Sequence, residues 1–579
     1  RIAFLSMTEK ALTRNEVLKS ESPSLSGTIA ATLSDDTTDK FSEDDNQFLK
    51  FHGIYQQDDR DKRKTGKEYS VMVRTRQTGG IVPPDQYLVY DAIADKYANK
   101  TLRLTTRQTF QFHGVVKGGL RQLIHSINEA LSTTIATCGD VNRNVTAPPA
   151  PDGTTAQTQL TEDAFIVTRA LLPVATSYHQ IWIDGEKLEQ DIAELTKLAQ
   201  SSGTNPYQAP QGEQAPDGTV TDPIYGKTYL PRKFKIGFAI PPQNDTDIFT
   251  NDLGFVAIVE NGNVSGYNLL AGGGLGSTHG NTETFPRLAS IIGYFPRERV
   301  VDIAKAVITT HRDFGDRTNR KHARLKYVLE ERGEEWFRNE VENRAGFQLA
   351  PARATPFTTQ GDSYGWHDQI NGKKYLTLFV ETGRIKDAPG HALKTALREV
   401  VAGFKPHLRL TPSQNIILGD ISPDDVGHIT TLFKKHGVGI NENLSRTRGA
   451  GISCPALPTC GLALTEAERV FPQVIDRMEE LFTEIGLGNE EISVRMTGCP
   501  NGCARPYMAE IGLIGRAPNK YNIMLGGNHT STRLNQTYRE NIKLEDFTTE
   551  IRPLLARFKN ERLPGEHFGD FAHRVLLNN

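Results

Sequence analysis

Residues 102–114 read LRLTTRQTFQFHG and residues 408–420 read LRLTPSQNIILGD, and the likeness of these two stretches decides the architecture. Each predicts a strand of the same length. A second pair follows in the same order: TNDLGFVAI and then GYNLLAGGG within residues 250–274, against MAEIGLIG and then KYNIMLGG within residues 508–527. Two matches in one order imply duplicated halves. A duplicated fold offers a cleft at its pseudo-twofold interface, where one large ligand can sit. Between these stretches, strand-like segments such as 69–74 alternate with helix-like ones such as 85–97 and 120–131, so the expected class is mixed α/β, or α+β.

The chain has 579 residues, enough for several cores. Residues 1–47 are polar and lack sustained periodicity, which predicts an extended arm with at most a short helix over 16–20 and ordered structure from Phe48. The Pro/Gly/Gln-rich segment 203–223 predicts an exposed loop. A formal net charge of −2 gives no general attraction to nucleic acid or an anionic membrane. No apolar run is long enough for a membrane span, and the opening RIAFLSMTEKALTRNE has no charged-then-apolar leader pattern.

Four of the five cysteines crowd into two pairs, Cys454-Pro-Ala-Leu-Pro-Thr-Cys460 and Cys499-Pro-Asn-Gly-Cys503. Too few for a disulfide scaffold, they point to metal ligation in a reducing compartment. Both pairs lie in Pro/Gly-punctuated turns, whose backbone N–H groups can face sulfur. Four thiolates can hold an iron-sulfur cluster or a structural zinc; zinc knuckles use two-residue spacers, and the longer spacers here favour a cubane. Cys138 stands apart and is expected to be a free thiol. After the first pair, Thr465-Glu-Ala-Glu468 has capping-box spacing. Val474, Ile475, Met478, Leu481, Phe482 and Ile485 then predict a core helix that ends before Gly486, with Pro472 dividing it from a preceding turn.

The segments SCPALPTCGLALTEAER and RMTGCPNGCARPYMAEIGLIG closely resemble the siroheme and 4Fe-4S signature of the sulfite and nitrite reductases. FHGIYQQDDRD, RLTTRQTFQFHG, GDVNRNV, YLPRKFK, AGGGLG and TPSQNIILG match the family in order. The resemblance implies a pseudo-twofold fold of two ferredoxin-like half domains (48–125 and 348–437) and two larger siroheme- and cluster-binding domains (126–347 and 438–579), after the arm 1–47. It implies that Cys454, Cys460, Cys499 and Cys503 hold a 4Fe-4S cluster, with the Cys503 thiolate shared with siroheme iron. Arg74, Arg143, Lys233 and Lys235 would line the substrate pocket. Arg103, Thr105, Thr106, Arg107, Gln111, His113, Arg232, Gln414 and the backbone of Gly272, Gly273 and Gly274 would hold siroheme, and Asn501 would tune the cluster or touch the macrocycle.

Physical chemistry agrees with that cationic set, because siroheme carries eight carboxylates and sulfite is an anion. Period-two spacing puts Arg103 and Arg107 on one face of an expected strand, and Lys233 and Lys235 on one face of another. Taken singly, a strand Arg or Lys is more often a solvated group, and His113 alone reads as a structural histidine. The expected activity is the six-electron reduction of sulfite to sulfide in assimilatory sulfur metabolism, with nitrite as a side substrate. Nitrite reductases resemble RKWN and CPNSC where this chain has RKFK and CPNGC, so Lys235 argues for sulfite. With no dinucleotide or flavin motif, electrons must come from a separate protein, an NADPH-oxidising flavoprotein subunit or a ferredoxin. The expected location is the cytoplasm, or the plastid stroma if a transit peptide has been removed. A zinc-stabilised anion-binding scaffold without redox activity is the alternative of a different class.

Overall fold

The computed structural model describes residues 10–577 except 23, 175, 186, 208–212 and 215–219. Each of the two deciding stretches folds as a hairpin rather than a single strand. Leu102–Leu104 pairs with Phe110–Val115, and His407–Leu410 pairs with Ile416–Ile421. The turns are built alike. The hydroxyl of Thr105 accepts from Thr109 N at 3.2 Å and that of Thr411 from Asn415 N at 3.0 Å, so a side chain replaces a ladder bond. Gln108 and Gln414 occupy the same turn position with left-handed φ of 55° and 69°. Arg107 therefore lies in a turn, and does not share a strand face with Arg103.

Around these hairpins form two five-stranded sheets. The first runs Ile54–Asp58, Tyr69–Arg74, Phe110–Val115, Leu102–Leu104, Arg384–Ile385; the second runs Gly365–Asp368, Lys374–Leu378, Ile416–Ile421, His407–Leu410, Ile81–Val82. The last strand of each sheet comes from the opposite half: Arg384 pairs with Arg103, and Ile81 with Arg409. The halves are thus knitted together by exchange.

The two remaining large sheets repeat as well. Ile236–Ala239 runs parallel to Leu253–Glu260, which turns back through Asn263–Ala271; Val494–Thr497 runs parallel to Ile511–Ala517, which turns back through Lys520–Leu525. The connections between the parallel strands have equal length and the same shape. Each contains one 3-10 turn, Ile248–Thr250 or Pro506–Met508, preceded by a left-handed residue, Asp247 at φ 45° or Arg505 at φ 54°. Duplicated halves, expected from the paired motifs, are present in both pairs of large sheets.

The N-terminal segment departs from expectation. Residues Arg14–Glu21, Ile29–Leu33 and Asp45–Phe51 are helical, and Leu25, Ile29, Phe41 and Phe48 join the main hydrophobic core. Some of its polar residues are paired in the interior: buried Lys19 bonds Glu16 at 2.6 Å and the Leu230 carbonyl at 2.8 Å. The core helix is Phe471–Ile485, with Pro472 in its first turn and Gly486 closing it at φ 72°. Thr465 does not cap it; the hydroxyl faces Tyr521, and Glu468 is drawn to arginines. Within 203–223, Glu213–Gln214 and Val220–Thr221 form a small ladder, and the rest of the expected loop lies partly outside the described residues. No helix among the described residues is long and apolar enough to cross a membrane.

Candidate functional site

Two adjacent parallel strands, Ile452–Ser453 and Val494–Thr497, deliver the cysteines to one end of the last sheet. Cys454 follows the first strand directly, and Cys499 lies just beyond the second. Cys454 and Cys499 are buried, Cys460 is half-buried, and Cys503 is exposed although its neighbours Gly502 and Ala504 are buried. Gly498 N donates to Cys454 Sγ at 3.3 Å and Asn501 Nδ2 to Cys499 Sγ at 3.4 Å. Burial raises the Cys454 thiol well above its usual range, and the other three cysteines raise it further. Burial and then Cys503 push Cys499 up to about 12. Such thiols become thiolates only against a cationic partner, as metal ligands do.

The sulfurs influence one another, yet among the described residues no three His, Cys, Asp or Glu side chains converge on a single-ion site. Four thiols that raise one another's pKa are a donor set that a 4Fe-4S cluster can take.

Several residues expected at siroheme carboxylates are occupied in bracing this cysteine loop. Arg103 is fully buried; it donates to Glu468 at 3.0 Å and to the Ser453 carbonyl at 2.9 Å. Gln414 grips the same carbonyl at 2.8 Å. Glu468 also binds Arg384, and its N–H donates to the Cys454 carbonyl. Burial raises Glu468, but Arg103 and Arg384 outweigh that and hold it at about 2. His113 is buried beside Arg384, and burial drives its pKa well below the usual value, so it is a neutral structural ring. With its amide oxygen facing Arg74, Gln111 accepts from that guanidinium at 2.6 Å and donates to His113.

The four expected pocket cations lie near one another, and Lys235 is close enough to Cys503 to feel its charge. Phe234 is fully buried and bridges to Asn142, so Lys233 and Lys235 project from the opposite side of an extended segment ahead of Ile236–Ala239. Arg143 N bonds the Phe234 carbonyl at 2.9 Å, and the guanidinium is fixed on the Gly139 carbonyl at 2.8 and 3.0 Å. Arg74 and Arg143 both reach the Thr137 carbonyl, at 3.5 and 3.4 Å. Among the described residues, none of Arg74, Arg143, Lys233 and Lys235 is paired with a carboxylate. Burial, then Arg324 and Arg107, push Lys235 down to about 7, and nearby Cys503 acts in the opposite sense. Lys233 is pushed well down by burial and by Lys235. The hydroxyl of Thr106 donates to the Cys503 carbonyl at 3.0 Å, and Thr105 is spent in its turn.

Arg107 bonds Asn251 at 2.6 Å and the Ile236 carbonyl at 2.8 Å; burial and then Arg505 bring it down to about 9, and its buried Nε has no partner. Arg232 lies 3.9 Å from Asp140, which Arg320 holds at 2.7 Å. The three glycines answer first to protein neighbours. A Cβ on Gly273 would sit 2.2 Å from the Phe249 carbonyl oxygen, and one on Gly274 3.0 Å from Arg324. Their loop continues to Ser277, whose N–H bonds the Pro500 carbonyl at 3.1 Å, so the first half touches the second cysteine turn.

Some contributors escaped the sequence reading. Arg324 pairs with Asp252 at 2.8 Å, and Lys326, pushed by burial to about 7, holds the Gly274 and Gly276 carbonyls. The Arg324-Leu-Lys326 alternation, like that of RKFK, was the available signal. Cys138 is a buried free cysteine apart from the quartet.

Comparison with known proteins adds independent findings. The domain described as "Nitrite and sulphite reductase 4Fe-4S domain" matches residues 162–349, and the "Nitrite/Sulfite reductase ferredoxin-like half domain" matches 61–130 and 367–435. The four clustered cysteines lie outside those spans. A protein of Shewanella sp. (strain ANA-3) named "Sulfite reductase [NADPH] hemoprotein beta-component" is 48% identical over 576 residues, covering 98% of this chain and 97% of that one. A protein of the same name from Geobacillus kaustophilus (strain HTA426) is 46% identical over 566 residues, 97% of this chain and 95% of its own. Mycobacterium tuberculosis NirA has the same fold, with a TM-score of 0.74 at 20% identity over 97% of this chain and 96% of that one.

Proposed function

The chain belongs to the nitrite and sulfite reductase family, and from that premise we propose that it is the siroheme and 4Fe-4S component of an assimilatory sulfite reductase. The observation that carries this is the meeting of four unpaired cations with an exposed cysteine of a thiol quartet. Cys454, Cys460, Cys499 and Cys503 would hold the cluster, and Cys503, exposed beside Lys235, would be the thiolate shared with siroheme. Arg107, Arg232, Thr106 and the backbone of Gly272, Gly273 and Gly274 would face the macrocycle. Arg103 and Gln414 would set the cluster loop through Ser453. When bound, the two coupled centres supply single electrons to one substrate.

The remaining work falls to side chains. Arg74 and Arg143 would bind the oxyanion through fixed donors, and Arg107 would face the macrocycle. Lys235, poised near neutrality, can hold or release a proton at Nζ as each oxygen leaves as water, and Lys233 beside it shares that role. Sulfite takes up six electrons and six protons, yielding sulfide and three waters, so proton supply must be repeated. Lys235 favours sulfite over the smaller nitrite, which is a side substrate.

The relatives' name and the lack of a dinucleotide motif in this chain support electrons arriving from a separate protein, an NADPH-oxidising flavoprotein subunit or a ferredoxin. A cytoplasmic location accords with that reading. The half-domain matches support ferredoxin-like units over 48–125 and 348–437, alternating with larger units over 126–347 and 438–579.

A visible spectrum and iron count of the purified protein, followed by sulfite and nitrite turnover with a reduced viologen dye, test the reading. Siroheme absorption with iron is expected. Cys503→Ser should uncouple or remove both centres. A colourless protein that holds zinc and no iron would make the chain an anion-binding scaffold.

A further inference from the structure

Asp247 and Arg505 occupy equivalent places in the two repeats. Each is the left-handed residue ahead of its 3-10 turn, at the same distance from the following parallel strand. They are also bonded to each other: Arg505 Nε donates to Asp247 Oδ2. The rest of the Arg505 fork repeats the symmetry. Nη1 donates to the Thr106 carbonyl at 3.2 Å and Nη2 to the Pro412 carbonyl at 2.9 Å. Thr106 and Pro412 are themselves equivalent, each following the hairpin threonine in its repeat. One guanidinium therefore sits at the pseudo-twofold axis and touches both hairpin turns and the opposite repeat. Arg495 completes the group by donating to Asp247 Oδ2 at 2.7 Å.

The placement matters because Arg505 is two residues beyond Cys503. Arg505 N donates to the Gly502 carbonyl at 2.9 Å, and Thr106, whose carbonyl it holds, donates its hydroxyl to the Cys503 carbonyl. Cys503 is thereby clamped from both sides. Asp247 is fully buried, and Arg505 and Arg495 are nearly so, so nothing in solvent can replace either partner. A lysine could keep the charge contact, but it lacks the planar fork needed for three directions at once.

We propose that Arg505 is the positioning residue that fixes the Cys503 sulfur relative to the first-half hairpin turn at Thr106. Its anchor is Asp247 across the pseudo-twofold axis. The inference rests on Cys503 being the thiolate shared between cluster and siroheme. Misplacing that sulfur disturbs the coupling between the two centres, whereas loss of a merely structural ion pair lowers stability alone.

The test compares holoenzymes of wild type, Arg505→Lys, Asp247→Asn and Arg448→Lys. Arg448 serves as the structural control, because it bonds Glu381 at 3.1 Å and Glu479 at 2.9 Å and neither hairpin turn. Iron per chain, the electron paramagnetic resonance spectrum, the siroheme potential, the melting temperature, kcat and KM are measured. Arg505→Lys should retain iron, change the resonance anisotropy and potential, and lower kcat by about 10-fold or more with little change in KM. Asp247→Asn should move the same spectrum in the same direction, which covers the case in which Arg505→Lys fails to fold. Arg448→Lys should lower the melting temperature with the spectrum unmoved. If wild type contains both coupled centres and Arg505→Lys or Asp247→Asn merely melts earlier, this proposal is overturned and the functional reading stands. If wild type lacks siroheme absorption, both fall.

Discussion

Replacing Glu468 by Gln would remove the one carboxylate shared by Arg103 and Arg384, and the size of the effect follows from its surroundings. The two arginines overcome burial and take the carboxyl from the usual 4.5 to about 2, a displacement equivalent to about 3 kcal/mol of stability. The side chain is only 14% exposed, so solvent screening takes little away. Because the folded-state pKa is the lower one, the stabilisation is complete above 4.5 and disappears as pH falls through about 2. In the variant, Arg103 keeps a buried charge without its carboxylate, a loss of the kind that typically costs about 3–5 kcal/mol. Urea unfolding at neutral pH should show Glu468→Gln weaker by about 3 kcal/mol, with the gap closing toward pH 2. Iron content should fall as well, since Arg103 and Glu468 hold Ser453 and Cys454. An unfolding gap that stays constant with pH, or no gap at all, would refute the reasoning.

Three other outcomes are expected. Lys235→Asn should reduce kcat/KM for sulfite about 10-fold more than for nitrite, because one cation facing the larger anion is lost; equal losses in steady-state assays would contradict its role in selectivity. Burial, then Asp362 and Asp247, push Asp245 up to about 8. The stabilisation it brings is therefore full below the unfolded value of 3.8 and is lost as pH rises through about 8; Asp245→Asn should flatten the decline of unfolding free energy by about 1.4 kcal/mol per pH unit near neutrality. Gly273→Ala would drive a Cβ to 2.2 Å from the Phe249 carbonyl oxygen and 2.6 Å from that of Asn251, and should cost about 3 kcal/mol in denaturant unfolding; a variant as stable as wild type would show that the loop yields.

The duplication was legible because its signal is local: a threonine-led turn between apolar strands recurs as TTRQT and TPSQN, and YNLLAGG recurs as YNIMLGG. The cysteine quartet was legible for the same reason. That the first motif is a hairpin was not, because Thr105 and Thr411 turn the chain through side-chain bonds inside what looks like a continuous strand. The arm was misjudged for a related reason. Its few apolar residues, Leu25, Ile29 and Phe41, lack periodicity, and its polar ones are satisfied by partners as distant as Asp140 and Arg317. The pairing of Arg103 with Glu468 was not legible, because the two lie 365 positions apart and no local pattern announces such a pairing.

The traded strands carry a consequence for how this chain can be divided. Cut between the repeats, the first fragment would lack Arg384 and Ile385 and leave the backbone of Leu102 and Arg103 bare, while the second would lose Ile81 and Val82 beside Leu408 and Arg409. Each fragment would present an open β-edge, an invitation to clump with any passing strand. In the intact chain each repeat seals the other's sheet edge.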